Sequence, residues 1–199
     1  MTWKPVFTVC GNGASKTVLI YFHGLDEPTH SPLETMNEKT ISELSHTCDT
    51  QILSVRSKWI RSSGQLHWPR STNNDRSEIV TGIHSLISDL FVPRNEYSIG
   101  ALGFWNGGFF LTRLWLEGQA NLFDFVIGCG CGIDDVPLDS YARPPLMILI
   151  GDKDQYHFEL ATNSSNSLIS SEIPHGFKVF PGGHILPLAD LKDCLNKLT

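Results

Sequence analysis

No run of apolar residues in the 199-residue chain approaches the roughly 20 that a membrane-spanning helix requires. The amino-terminal segment MTWKPVFTVC likewise lacks the positive patch and long apolar stretch of a secretory signal. Positive charge is scarce: 15 Lys and Arg against 21 Asp and Glu leave a formal charge of −6. That balance offers no electrostatic footprint for duplex nucleic acid or an anionic membrane surface. Cysteine is sparse and odd in number. Cys10, Cys48, Cys129, Cys131 and Cys194 fit neither a disulfide framework nor a zinc ribbon. Periodic repeats are also missing. These absences lead to the expectation of one cytoplasmic domain with reduced thiols, no cofactor or metal, and no nucleic-acid or membrane partner. The expected partner is a small-molecule ligand or an acyl-type substrate, with a protein partner as a further option.

What is present is enough apolar content, 41% of residues, to bury a single sizeable core. Short β-rich runs occur at Val6 to Val9, Thr17 to Phe22, Gln51 to Val55, Tyr97 to Leu102, Phe123 to Ile127, Leu146 to Ile150 and Lys178 to Phe180. Between them, Pro32 to Ser45, Asp75 to Phe91, Asn106 to Glu117, Tyr156 to Leu168 and Leu186 to Leu198 carry helical spacing. Several strands are almost wholly apolar, as strands covered on both sides are. Alternation of this kind predicts an α/β fold: a mostly parallel central sheet with helices on both faces, a three-layer sandwich. The longest stretch without periodicity, Arg56 to about Asn74, predicts a loop with a role at a site.

Ligands in such sheets collect beyond the carboxyl ends of the strands. Four of those ends carry chemistry. They are His23-Gly24-Leu25 after the second run, Gly103-Phe104-Trp105-Asn106-Gly107-Gly108 after the fourth, Gly151-Asp152-Lys153-Asp154 after the sixth and Pro181-Gly182-Gly183-His184 after the last. In that order they resemble the α/β-hydrolase superfamily, whose elbow reads G-x-S-x-G and whose nucleophile, acid and histidine follow one another along the chain. The resemblance spans nearly the whole sequence and is strongest to the small, lidless esterase, thioesterase and depolymerase branch. It implies Gly103 and Gly107 as elbow glycines, Trp105 at the nucleophile position, Asp154 as the acid, His184 as the base, and Leu25 and Asn106 as oxyanion-hole amides. His23 and Gly24 complete the turn that presents Leu25. Asp152, two residues before Asp154, competes for the acid position.

The departure from that pattern is Trp105. A serine at the tip attacks an acyl carbon once the histidine removes its proton. An indole is no nucleophile toward esters, and its bulk fills the space where a tetrahedral intermediate forms. Centring the turn on Asn106 loses a glycine and supplies no nucleophile. Gly100 to Gly108 does not spell the G-x-G-x-x-G of a dinucleotide site. Cys129 and Cys131 offer a replacement thiol or half a metal site, although small residues also simply end strands. Asp134 and Asp135 read as a loop cap. Arg56, Lys58, Arg61, Arg70 and Arg76, interleaved with Trp59, His67 and Trp68, read as solvated charge or as a seat for an anionic or aromatic ligand. Two functional readings follow: a pseudo-hydrolase that binds a ligand or partner, or an enzyme using His184 and Asp154 as a general-base pair. A tryptophan variant of an otherwise active esterase is a third.

Overall fold

The computed structural model describes residues 3–69, 73–133 and 142–199. The strands are β1 (Val6–Cys10), β2 (Thr17–Phe22), β3 (Thr50–Arg56), β4 (Ser98–Phe104), β5 (Phe125–Cys129), β6 (Leu146–Gly151) and β7 (Gly176–Phe180). The helices are α1 (Pro32–Thr47), α2 (Asn73–Leu90), α3 (Asn106–Leu116), α4 (Phe158–Ser170) and α5 (Leu188–Leu198). One sheet holds all seven strands in the order β1-β3-β2-β4-β5-β6-β7. Only β1 runs antiparallel, on β3; the other five pairings are parallel.

Alternation along the strands sorts the core into two layers. Val18, Ile20 and Phe22 of β2 pack with Ile79 and Ile83 of α2 and with Phe110 and Leu114 of α3. Leu19 and Tyr21 face the other way, toward Ile41 and Leu44 of α1 and Leu191 and Leu195 of α5. Helices therefore cover both faces, and the three-layer α/β fold is the observed one. Both flanks of β2 and β4 are apolar because neither flank meets water.

Most element boundaries shift by one or two residues from the sequence expectation, and β5 shows a clear cause. β5 begins at Phe125, not Phe123, since Asp124 is held by β4: its amide donates to the Ile99 carbonyl and its carboxylate accepts from the Ile99 amide. Phe123 stays buried within a turn closed by its amide on the Ala120 carbonyl. At its far end β5 runs through Gly128 and Cys129, which pair with Gly103 and Phe104.

Helix α1 starts cleanly. Ser31 accepts the Glu34 amide at 3.2 Å, and Pro32 opens the first turn, where its missing N–H is no loss. No described helix is long and apolar enough to cross a membrane.

Candidate active site

The turn between β4 and α3 places Trp105 at its tip with φ 49° and ψ −110°. A side chain larger than glycine pays about 1–3 kcal/mol for such a backbone. The neighbours of Trp105 make the bend possible. A Cβ on Gly103 would sit 2.5 Å from the Gly107 carbonyl oxygen, and one on Gly107 only 2.2 Å from the Phe22 carbonyl oxygen. The bend is pinned by the Trp105 amide on the Cys129 carbonyl (2.9 Å) and by the Phe109 amide on the Trp105 carbonyl (2.9 Å).

His184, on the turn after β7, points its Nδ1 at Asp154 Oδ2, 2.6 Å away. Asp154 is buried, and its Oδ1 accepts the amides of Tyr156 (3.2 Å) and His157 (3.1 Å). Burial pushes the Asp154 carboxyl up. The hydrogen bond and charge of His184, followed by the His157 contributions, outweigh that push and leave it below the ordinary aspartate range. Asp152 has a different task. Its side chain is bound to the Gly182 amide at 2.9 Å, shaping the turn that carries His184. Of the two candidate acids, Asp154 is the one paired with the histidine.

The indole of Trp105 meets the His184 ring edge-on, with centroids 5.2 Å apart and planes at 89°. Phe104 packs against the same imidazole at 4.7 Å. His184 Nε2 is buried and has no hydrogen-bond partner among the described residues. On its other flank the indole lies over the loop after β2: a Cβ on Gly24 would sit 3.3 Å from Trp105 Cε3. The tryptophan thus fills the space between the imidazole and the turn bearing Leu25.

That turn is built from buried titratable groups. Glu34 of α1 accepts the Gly24 amide (2.9 Å), the Tyr21 hydroxyl (2.8 Å) and the Asn37 side-chain amide (3.0 Å). Burial pushes its carboxyl up to about 7, against the lowering effect of those three donors. His23 Nδ1 is 2.7 Å from the Gly24 carbonyl, and its Nε2 accepts the Ser57 amide at 3.1 Å. Burial drives this imidazole down to about 4, so it is neutral, with the proton on Nδ1.

Asn106 opens α3 and is buried. Its carboxamide oxygen accepts the Trp68 amide at 2.6 Å, while the Trp68 indole N–H donates to the His23 carbonyl at 3.0 Å. Trp68, fully buried against Phe22 and Phe110, staples the loop after β3 to the base of the site. Through Trp68 the loop is bonded to the turns on either side of the site.

Three basic side chains of this stretch have internal partners. Arg56 donates to the carbonyls of Glu27 (2.7 Å) and Pro28 (3.0 Å), Lys58 pairs with Glu78 (2.8 Å), and buried Arg76 pairs with Glu117 (3.0 Å). Arg70, Asp134 and Asp135 lie outside the described residues.

Cys129 and Cys131 lie in different surroundings. Cys129 belongs to the layer shared with α5, whereas Cys131 Sγ lies against Gly108 of α3, because Gly130 at φ 60° breaks the strand alternation. Full burial raises the Cys129 thiol well above its ordinary range, followed by the charges of Cys131 and Asp154. Such a thiol is inert as a nucleophile.

Sequence reading missed His157. It stacks beside His184, with ring centroids 4.9 Å apart at 31°, and its Nδ1 is 3.3 Å from Asp154 Oδ1. The available signal was the Asp-x-x-His spacing from Asp154, one helical turn.

The fold recurs in solved structures. The carboxylesterase from Mesorhizobium loti matches with a TM-score of 0.68 at 17% identity, over 96% of this chain and 94% of its own. A Bacillus cereus carboxylesterase matches at 0.64 and 15% identity, over 98% and 95%. Acyl-protein thioesterase 2 from Zea mays matches at 0.65 and 14% identity, over 97% and 98%. No protein-family profile and no curated protein sequence matches the chain. These likenesses identify the architecture as the α/β-hydrolase fold found in small esterases and thioesterases.

Proposed function

We propose that this chain is a pseudo-hydrolase: a protein of the esterase and thioesterase type that retains the acid and histidine of a triad, forms no acyl-enzyme, and binds a small acyl-type ligand or a protein partner. The observation that carries the reading is Trp105 at the strained tip of the β4–α3 turn, its indole edge against His184.

In the serine mechanism the imidazole takes a proton from a hydroxyl at that tip, and backbone amides then stabilise the oxyanion. Here Gly103 and Gly107 permit the bend, and Asp154 orients His184. In this reading Leu25 and Asn106 supply the two amides. The group at the tip has no transferable hydroxyl proton and no lone pair for an acyl carbon, because the indole nitrogen's electrons belong to the ring. Cys129 is fully buried with its thiol pushed up, and Cys131 is buried with its Sγ by Gly108.

A second reading, in which the Asp154–His184 pair activates water directly, draws support from the 2.6 Å contact and the unpartnered Nε2. Against it stands the burial of Nε2 beside the indole. Turnover of short-chain nitrophenyl esters separates the two. The pseudo-hydrolase reading expects a rate equal to buffer alone for the unaltered protein. A rate above buffer that disappears in His184→Ala would establish the general-base reading instead.

A further inference from the structure

The geometry points to a divalent transition-metal site, of the kind that takes Zn²⁺, formed by Asp154, His157 and His184. The inference goes beyond the proposed function and stands without it, since a cation can be held here whether or not an acyl ligand binds.

Asp154, His157 and His184 each offer one donor atom, and the three atoms lie within 4.8 Å of one another. The carboxylate stands between the imidazoles: Oδ2 is 2.6 Å from His184 Nδ1, and Oδ1 is 3.3 Å from His157 Nδ1. Donors at the ~2.0–2.1 Å bond lengths of zinc lie about 3.3 Å apart in a tetrahedron. Small movements of two side chains therefore suffice to bring all three donors onto one ion.

Support around the ligands is already built. The Tyr156 and His157 amides orient the carboxylate, Phe109 packs edge-on against His157 at 5.5 Å, and Phe104 packs against His184 at 4.7 Å. Outer contacts of this sort hold ligating groups in place. Asp154 and His157 come from the turn between β6 and α4, with His157 at the helix N-cap, and His184 from the turn after β7, so the ion would tie the start of α4 to the end of the sheet.

Two imidazoles and one carboxylate select the cation. Imidazole suits zinc and its neighbours, whereas Ca²⁺ and Mg²⁺ want oxygen donors. Three protein ligands also leave a fourth position for water or a ligand group. Binding through His184 Nδ1 replaces the hydrogen bond to Asp154 and puts the proton of the neutral imidazole on Nε2, the other tautomer.

The test is a calorimetric titration of chelator-stripped, desalted protein with ZnCl₂, followed by Co²⁺ titration read in the visible absorption spectrum. The expected result is one equivalent of Zn²⁺ bound, a Co²⁺ band at about 500–650 nm from low coordination, and no heat with Mg²⁺. His157→Ala, verified as folded by circular dichroism, should weaken Zn²⁺ binding at least tenfold, whereas His46→Ala on an exposed face should leave it unchanged. Absence of saturable one-to-one binding, or equal affinity in His157→Ala and the unaltered protein, would overturn the site. Neither outcome bears on whether Trp105 prevents acyl-enzyme formation, which ester turnover reads separately.

Discussion

The Trp105 indole and the His184 imidazole meet at right angles, with a centroid distance of 5.2 Å and an interplanar angle of 89°. That contact puts a side chain without a hydroxyl beside the histidine that a serine at this tip would use. It leaves Nε2 buried with no hydrogen-bond partner among the described residues, a state that costs about 1–3 kcal/mol unless another group meets it.

Gly107→Ala should destabilise the protein by about 1–3 kcal/mol or more, because its Cβ would fall 2.2 Å from the Phe22 carbonyl oxygen, a backbone atom that cannot swing aside. Alanine is the better helix former, so propensity alone would predict the opposite sign. Gly13→Ala, where nothing lies within 4 Å, should stay within about 0.5 kcal/mol of the unaltered protein. Urea denaturation midpoints compare the two.

Asn106→Ala removes the acceptor for the Trp68 amide. A buried N–H left unsatisfied costs about 1–3 kcal/mol, and the loop after β3 loses a staple to the elbow. Amide hydrogen exchange should accelerate across residues 57–69 while the protection of β4 is retained. Unchanged exchange in that segment would show that the ring contacts of Trp68 suffice to hold the loop.

Glu34 and His23 should give opposing pH dependences. The folded-state pKa of Glu34 is raised to about 7, so between roughly pH 4.5 and 7 the folded protein holds a proton that the unfolded chain has released. Its contribution to stability therefore falls as pH rises through that window. His23 is lowered to about 4, so between about pH 4 and 6.5 the unfolded chain holds the extra proton and stability rises with pH. From about pH 4.5 to 6.5 the two slopes nearly cancel. Glu34→Gln should expose the rising slope and His23→Gln the falling one, each approaching 1.4 kcal/mol per pH unit. Denaturation midpoints at pH 4.5, 5.5 and 6.5 measure this, and identical profiles in the two variants would contradict the assignment.

Much of this arrangement was legible from residues alone. The glycines at 103 and 107 announce a bend between a strand and a helix, because no other residue admits the Gly107 carbonyl or the Phe22 backbone so closely. Asp154 and His184 could be paired by their positions after β6 and β7. What sequence could not supply was direction. Nothing in Asp152-Lys153-Asp154 reveals which carboxylate turns inward, since that depends on Asp152 binding the Gly182 amide. The separation of Cys129 from Cys131 depends on one positive φ at Gly130, and the start of β5 depends on Asp124 being claimed by Ile99. Glu34 escaped notice because S-x-x-E at a helix start reads as a capping box. Here, however, the carboxylate reaches past its own helix to the Gly24 amide.

The most direct test is intact-mass analysis after exposure to a fluorophosphonate probe that labels activated serines. Trp105→Ser should gain one adduct at position 105, lost again on adding His184→Ala, while the unaltered protein gains none. An adduct on the unaltered protein, or a folded Trp105→Ser that stays unlabelled, would contradict the claim that an indole alone silences an otherwise aligned site.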